Sequence, residues 1–376
     1  MRIGLNAHLL TGADQPGYRR AGIHGYIQNL LANLPAAAPG VDFTAFVGSG
    51  DPPPSPAIRI RRTRWAGKSP GRRILWEQFA QPFQLGGLDL MHELAFVAPL
   101  LMPRPYVVTV YDLSFLRYPE RLTRSRRLYL RLFTRISCQR ARRVIAISQS
   151  TADDVAQLLH IPRARIDLAQ PGVEPRFQRL PAAMVDAFRA AQGLPDRFFL
   201  FIGTLEPRKN LPMLLRAYAA LPAADRAAIP LILAGGKGWL SDDIPRTIAA
   251  CKLEHDVTLP GYIADDMLPL WYNAAHTFVY PSVYEGWGLP VSEALACRTP
   301  VITTTASSLP EAAGRAGLCL PPDDIPAWTE TLAQAIHDPH WAANRSAQAV
   351  DHGTAFTWQR TAEQTVASYR RALTRP

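Results

Sequence analysis

The chain has 376 residues, 48% of them hydrophobic and 19% charged, which is the composition of a globular protein and excludes a disordered one. That length suffices for two ordinary domains with cores of their own, and no apolar run approaches the length of a membrane span. The net charge of +10 is uneven: residues 1–178 hold 24 Lys and Arg against 12 Asp and Glu, the remainder 17 against 19. An acidic partner (anionic lipid, a phosphorylated acceptor or nucleic acid) is therefore expected of the first half.

Cys138, Cys251, Cys297 and Cys319 show neither metal nor redox spacing, so reduced thiols in a cytosolic protein are expected. Met1-Arg2-Ile3-Gly4-Leu5 leads straight into a strand, so no signal peptide is expected.

Arg2 to His8 alternates as a first strand. The glycine-rich stretch Gly17 to Gly25 follows, then an apolar-periodic helix on Ile27, Leu30, Leu31 and Leu34. Strand, glycine loop and helix is how a dinucleotide-type α/β domain opens, although the full G-x-G-x-x-G is missing. Val41 to Val47 and Ile58 to Arg64 read as strands, and Trp76 to Leu85 as a helix. Val107 to Val110 is a β-branched run, as in a parallel strand covered on both faces, and it ends at Tyr111-Asp112. Ligands gather at the carboxyl ends of such strands, which makes Tyr111 and Asp112 candidate contacts; Asp112 alternatively caps the next segment.

Arg117 to Arg143 holds ten arginines and one acid, Glu120. Read as a helix, it puts Leu128, Leu132 and Ile136 on one face and Arg127, Arg131 and Arg135 beside it. A basic amphipathic helix suits an anionic membrane surface; the alternative is the solvated face of a core-packed helix. No nucleic-acid recognition motif is present. Ser148 reads as a helix N-cap.

Phe198 to Ile202 is a fully apolar strand. It stops at Gly203-Thr204-Leu205-Glu206-Pro207-Arg208-Lys209-Asn210, where two adjacent cations stand at a strand-to-helix turn. A second strand ends in Gly235-Gly236-Lys237-Gly238-Trp239, a third at Gly261-Tyr262-Ile263, and Asp265 reads as the cap of a following helix.

Thr277 to Tyr280 is a short buried strand, followed by Tyr284-Glu285-Gly286-Trp287-Gly288-Leu289-Pro290 and a helix with Pro290 in its first turn. Strand, glycine loop and helix N-terminus form a phosphate-binding layout. Glu285 and Glu293 bracket the turn; the second lies about one helical turn in, where it could accept from a sugar hydroxyl.

This arrangement resembles the family 4 retaining glycosyltransferases of GT-B architecture. Ser282, Glu285, Gly286, Gly288, Leu289, Pro290 and Glu293 carry the resemblance, which extends over nearly the whole chain. It implies an α/β protein of two Rossmann-like domains facing across a cleft. Residues 1–178 would bind the acceptor, 179–356 the nucleotide sugar, and the helix of 357–376 would cross back to the first domain.

The resemblance implies catalytic parts for Glu285, Arg208 and Lys209, with the two cations clamping the leaving diphosphate. Glu285 would hold hydroxyls of the donor sugar and Glu293 the ribose diol. Gly203, Lys237, Tyr262, Gly286, Gly288 and Leu289 would line the donor. Gly22 and Gly25 match the family's N-terminal loop, with His24 between them as a further contact.

Two departures stand out. Many relatives have histidine where Tyr111 stands, and tyrosine, with a reference pKa of about 10, is no base at neutral pH. Many also have arginine where Thr204 stands. No Asp-x-Asp or His-Glu-x-x-His occurs, so no divalent metal or other cofactor is implied.

The Gly203–Asn210 and Gly235–Trp239 stretches are most similar to mannosyltransferases of polysaccharide assembly, with GDP-mannose as donor. UDP-glucose or a related donor is the alternative. A phosphorylase or sucrose- or trehalose-type synthase of the same fold, or a non-catalytic nucleotide-sugar-binding protein, are rivals. The acceptor would be a glycan or a lipid-linked glycan. The expected location is cytoplasmic, peripheral on the inner face of the membrane through residues 117–143, with no nucleic acid as partner.

Overall fold

The computed structural model describes residues 1–10, 22–48, 53–63, 70–118, 124–236, 238, 242–350 and 352–374. The chain divides into two compact units, Met1–Gly172 with Thr357–Pro376, and Val173–Phe356. The boundary expected after residue 178 thus falls after Gly172, and the C-terminal segment belongs to the first unit.

In the first unit β1 (Arg2–Asn6), β2 (Asp42–Val47), β3 (Ile58–Arg62), β4 (Leu90–Glu93), β5 (Tyr106–Val110), β6 (Arg143–Ala146) and β7 (Ile166–Leu168) form one parallel sheet. Its order is β3-β2-β1-β4-β5-β6-β7. The helices are α1 (Ile23–Ala37), α2 (Pro70–Phe79), α3 (Ser114–Arg117), α4 (Arg124–Arg140) and α5 (Gln149–Leu159). Every residue of β5 is buried, as its β-branched run requires. Ser148 caps α5 by accepting from the Thr151 amide at 2.9 Å, as its sequence predicts.

In the second unit β8 (Phe199–Ile202), β9 (Leu231–Ala234), β10 (Val257–Gly261), β11 (Thr277–Tyr280), β12 (Val301–Thr304) and β13 (Leu318–Leu320) form a parallel sheet ordered β10-β9-β8-β11-β12-β13. Its helices are α6 (Ala182–Gln192), α7 (Leu211–Ala219), α8 (Ala223–Ala228), α9 (Asp243–Ala250), α10 (Leu268–Ala274), α11 (Leu289–Ala296), α12 (Leu309–Ala313), α13 (Ile325–His337), α14 (Trp341–Gln348) and α15 (His352–Ala355).

The last helix, α16 (Trp358–Leu373), returns to the first unit and packs on α1. Thr357 caps it through the Arg360 amide. Its buried face runs Trp358, Thr361, Thr365, Tyr369, at helical spacing. Tyr369 is hydrogen-bonded to the buried His92 ring at 2.7 Å. Gly172 passes so near this helix that a Cβ there would lie 2.1 Å from the Trp358 amide nitrogen.

Both sheets have the Rossmann order, in which the chain reverses direction across the sheet beside the first strand. The switch points fall between β1 and β4, and between β8 and β11. On the other side of β8, at the ends of β8, β9 and β10, backbone is packed against backbone. Gly203 donates to the Ala234 carbonyl at 3.0 Å and Gly235 to the Gly261 carbonyl at 2.7 Å. Gly235 has φ +146°, and a Cβ on it would sit 1.8 Å from the Gly203 carbonyl oxygen. The loops after β8, β9 and β10 are thereby drawn together.

Two expectations change. α1 begins at Ile23, so His24 and Gly25 occupy its first turn rather than a loop; residues 11–21 of that loop lie outside the described residues. The helix expected over Trp76–Leu85 runs instead over Pro70–Phe79, with a separate 3₁₀ turn at Gln81–Gln84. Pro82 has no amide hydrogen with which to continue a helix. Among the described residues no helix is long and apolar enough to cross a membrane.

Gly235→Ala is expected to lower the stability of the second unit by at least about 2 kcal/mol, because it adds both strain and a backbone clash. Denaturant unfolding followed by tryptophan fluorescence measures it.

Candidate active site

Arg208 and Lys209 lie in a 3₁₀ turn, Pro207–Lys209, between β8 and α7. Glu285 lies in the loop between β11 and α11. The two loops leave adjacent strands at the switch point, and their side chains meet there. The Lys209 ammonium donates to Glu285 Oε1 at 2.6 Å and to the Tyr280 hydroxyl at 2.5 Å. Arg208 donates through Nη1 to Glu285 Oε2 and to the Tyr284 carbonyl, the latter at 2.6 Å. Its Nε donates to Glu206 Oε1 at 2.9 Å. Ser282 and Tyr280 hydroxyls add 2.7 and 3.1 Å contacts to Glu285 Oε1. The backbone of the loop is held too: Ser307 accepts from the Glu285 amide at 2.8 Å, and Ser308 donates to the Glu285 carbonyl at 2.9 Å.

These charges are buried; Lys209 is 5% exposed. Burial alone would push the Glu285 carboxyl up, but Arg208 and then Lys209 outweigh it and hold it at about 2. Burial and the neighbouring Arg208 lower Lys209, with Glu285 working the other way. For Arg208 burial opposes the charge, and Glu285 and Glu206 more than offset it. Two cations and two carboxylates therefore form one closed ionic cluster.

The two loops that carry the cluster run into helix N-termini suited to anions. Neither α7 nor α11 has a side-chain cap or an acid in its first turn, and both have proline there. Gly288, the N-cap of α11, has φ +112°, and a Cβ would lie 2.8 Å from Leu309, so glycine is required. Leu289 begins that helix, and Gly286 lies buried in the preceding loop. Gly203 flanks the cluster: a Cβ on it would lie 3.7 Å from Lys209 Cε.

Glu293, on α11, accepts from the Tyr272 hydroxyl at 2.9 Å through Oε2. Burial raises its carboxyl to about 7, with Tyr272 opposing and Asp265 adding to the rise. Asp265, expected as a helix cap, pairs instead with Arg176 at 2.9 Å, and Arg176 also holds Glu174. Tyr262 stands exposed after Gly261, whose carbonyl accepts from Gly235. Lys237 lies outside the described residues.

In the first unit, Gly22 is the N-cap of α1 with φ +66°, and a Cβ there would meet nothing within 4 Å; glycine serves the backbone conformation. His24 is buried in the first turn beside Gly25. Asp112 accepts from the Ser114 amide at 2.8 Å, while the N-cap of α3 is Leu113.

Residues 21–177 match the family described as Glycosyltransferase Family 4, and residues 185–352 match Glycosyl transferases group 1. An O-antigen chain mannosyltransferase B of Escherichia coli is 34% identical over 265 residues, covering 70% of each chain. The chain belongs to the family 4 glycosyltransferases. Among solved structures, sucrose-phosphate synthase from Thermosynechococcus elongatus matches with TM-score 0.75 at 24% identity, covering 98% of both chains. The Anabaena protein HepE in complex with UDP and glucose matches with TM-score 0.72 at 18% identity, again over 98% of both. These likenesses establish the GT-B fold.

In this glycosyltransferase Arg208, Lys209 and Glu285 meet at one point, bonded to one another, while Glu293 pairs with Tyr272. Tyr111 is a correction. It is buried, donates its hydroxyl to the Leu94 carbonyl at 2.7 Å and packs edge-on to Tyr26 and Phe96. It is a core residue, 4% exposed, with its hydroxyl proton given to backbone. Sequence reasoning missed Glu206 as a partner of Arg208; its position two residues before the arginine, across Pro207, is the signal. It also missed Tyr280, which reads as core, and Tyr272; their hydroxyls hold the two glutamates.

Glu285 keeps its charge in the native state down to about pH 2, whereas an ordinary glutamate titrates near 4.5. Its contribution is therefore full above about 4.5 and lost as pH falls toward 2. Glu285→Gln should cost about 3–5 kcal/mol at pH 7 and flatten that acid limb in denaturant titrations. Glu293 has the opposite sign. The native state holds its proton up to about pH 7, the unfolded chain releases it near 4.5, so stability falls as pH rises through that window. Glu293→Gln should remove this fall and raise the melting temperature at pH 8.

Proposed function

We propose that this chain is a retaining, metal-independent mannosyltransferase that moves mannose from GDP-mannose to a hydroxyl of a glycan or lipid-linked glycan. The observation that carries the reading is the buried Arg208–Lys209–Glu285 cluster at the β8/β11 switch point, together with the likeness to a mannosyltransferase. The donor diphosphate would lie on Arg208, Lys209 and the N-terminus of α11. These groups meet the negative charge that grows on the leaving phosphate, and do so without reorganising. Glu293, held by Tyr272 through one oxygen, would accept from the ribose diol with the other.

The geometry of Glu285 supports a same-face displacement. Both its oxygens are engaged by cations and hydroxyls, so serving as a nucleophile would require it to leave Lys209 and Arg208. Its part is to position the two cations rather than to grip sugar hydroxyls. The bond from the anomeric carbon to the phosphate oxygen breaks, its electron pair staying on the diphosphate. The acceptor hydroxyl attacks from the face the phosphate leaves, and its proton passes to a phosphate oxygen.

The acceptor would be bound by loops of the first unit. A cytoplasmic enzyme peripheral to the membrane is part of the same reading. Leu128 and Leu132 stand exposed on α4 among Arg127, Arg131 and Arg135, which supports contact of residues 117–143 with anionic lipid.

Nucleotide release should be measured across a panel of nucleotide sugars with chelator present. GDP-mannose is expected to be consumed fastest, and Lys209→Ala to lower kcat by about 10²–10³-fold. Release from none of the panel would leave a binding protein; preference for UDP-glucose would replace the donor assignment.

A further inference from the structure

We infer that Phe96 is the apolar platform on which the first unit receives a neutral pyranose of the acceptor, and that Tyr111 is the residue that positions it. This rests on the transferase reading above and names the side chains that meet its acceptor.

A strained turn carries Phe96. Its φ is +51°, in the left-handed region that a bulky side chain rarely adopts. It lies three residues beyond the end of β4 and caps no helix. Bonds hold the turn along its length. The Tyr111 hydroxyl donates to the Leu94 carbonyl at 2.7 Å, and the Phe96 amide donates to the Thr109 carbonyl at 2.9 Å. The Val97 amide closes back on the Ala95 carbonyl at 2.5 Å. Further on, Ser137 accepts from the Ala98 amide at 2.8 Å and Gln78 from the Leu100 amide at 3.0 Å. Tyr111 and Phe115 pack edge-on with the Phe96 ring, their centroids 5.7 and 6.0 Å away. Strain that the surroundings hold in this way concentrates at ligand sites.

The place fits a ligand. The turn leaves the carboxyl end of β4, one of the two strands at the switch point of the first sheet, where open α/β sheets bind ligands. Leu90 to Leu94 are buried, whereas Ala95, Phe96 and Val97 are all partly exposed. Three apolar residues on pinned backbone make a rigid shelf. Asp112, after the end of the neighbouring β5, is partly exposed too and gives Oδ1 to the Ser114 amide. Among the described residues nothing bonds its Oδ2. A pyranose suits such a pair: its C–H face packs on the ring and a hydroxyl donates to the carboxylate. An anionic ligand would meet the Asp112 carboxylate as a like charge. Tyrosine where many relatives carry histidine thereby has a reason, since one side chain both bonds the turn and backs the platform.

Saturation-transfer NMR with the methyl α-glycosides of mannose, glucose, galactose and N-acetylglucosamine tests this without donor. At least one is expected to bind the unaltered chain. Phe96→Gly should weaken that binding about tenfold. Its melting temperature should be equal or higher, because glycine adopts the left-handed turn without strain. Phe96→Trp should keep the binding, and Phe96→Ala serves if the glycine variant folds poorly. Tyr111→Phe keeps the ring and loses only the bond to Leu94. It should weaken binding severalfold by itself and add nothing beside Phe96→Gly. Unchanged sugar binding by Phe96→Gly and Phe96→Ala, or binding of none of the four by the unaltered chain, would overturn the platform. An equal effect of Tyr111→Phe in both backgrounds would overturn its positioning part. Nucleotide release from GDP-mannose without acceptor should be the same in Phe96→Gly as in the unaltered chain. Its absence from both would tell against the donor reading and leave the sugar measurements to judge the platform.

Discussion

A buried ammonium and a buried guanidinium side by side repel each other and lose hydration, and the second unit is built around making that tolerable. Glu285 supplies the answer by bridging Lys209 and Arg208 with separate oxygens, and Glu206 takes the far side of Arg208. Removing charges from water costs several kcal/mol each unless partners and hydrogen bonds surround them. Here Tyr280, Ser282 and the Tyr284 carbonyl complete the shell. The cluster is neutral as a whole and its cations are already oriented, so under the proposed function a diphosphate would meet them with their entropy already lost.

The loops around the cluster are set by close backbone approach. Gly235 allows a contact with the Gly203 backbone that any side chain would block, and Gly288 allows the turn from the Glu285 loop into α11. Glycine thus acts at a few chosen points, each fixing a loop that carries a charged or hydrogen-bonding group. Serine hydroxyls from the segment before α12 then pin the Glu285 loop from behind.

Much of this was legible because it is local in sequence. The turn holding Arg208 and Lys209, the Glu285-to-Glu293 spacing, the proline in the first turn of α11 and the span of α16 all follow from short-range pattern. What was not legible depends on which way a side chain turns at a strand end. Tyr111 follows a buried β-branched strand and turns into the core, where the Leu94 carbonyl takes its hydroxyl. Tyr280 reads as core and in fact presents its hydroxyl to Glu285, and Tyr272, not singled out by the sequence, does the same for Glu293. The exposure of Leu128 and Leu132 was likewise undecided by periodicity. It is settled because Thr134, Ser137 and Cys138 supply the buried side of α4.

The central claim is that Glu285 holds Arg208 and Lys209 ready for a diphosphate. A crystal structure with GDP bound tests it most directly. The account predicts phosphate oxygens within hydrogen-bonding distance of Lys209 Nζ or Arg208, Glu285 still bonded to both cations, and the ribose diol on Glu293. A diphosphate seated elsewhere, with the three side chains undisturbed and out of reach, would contradict it.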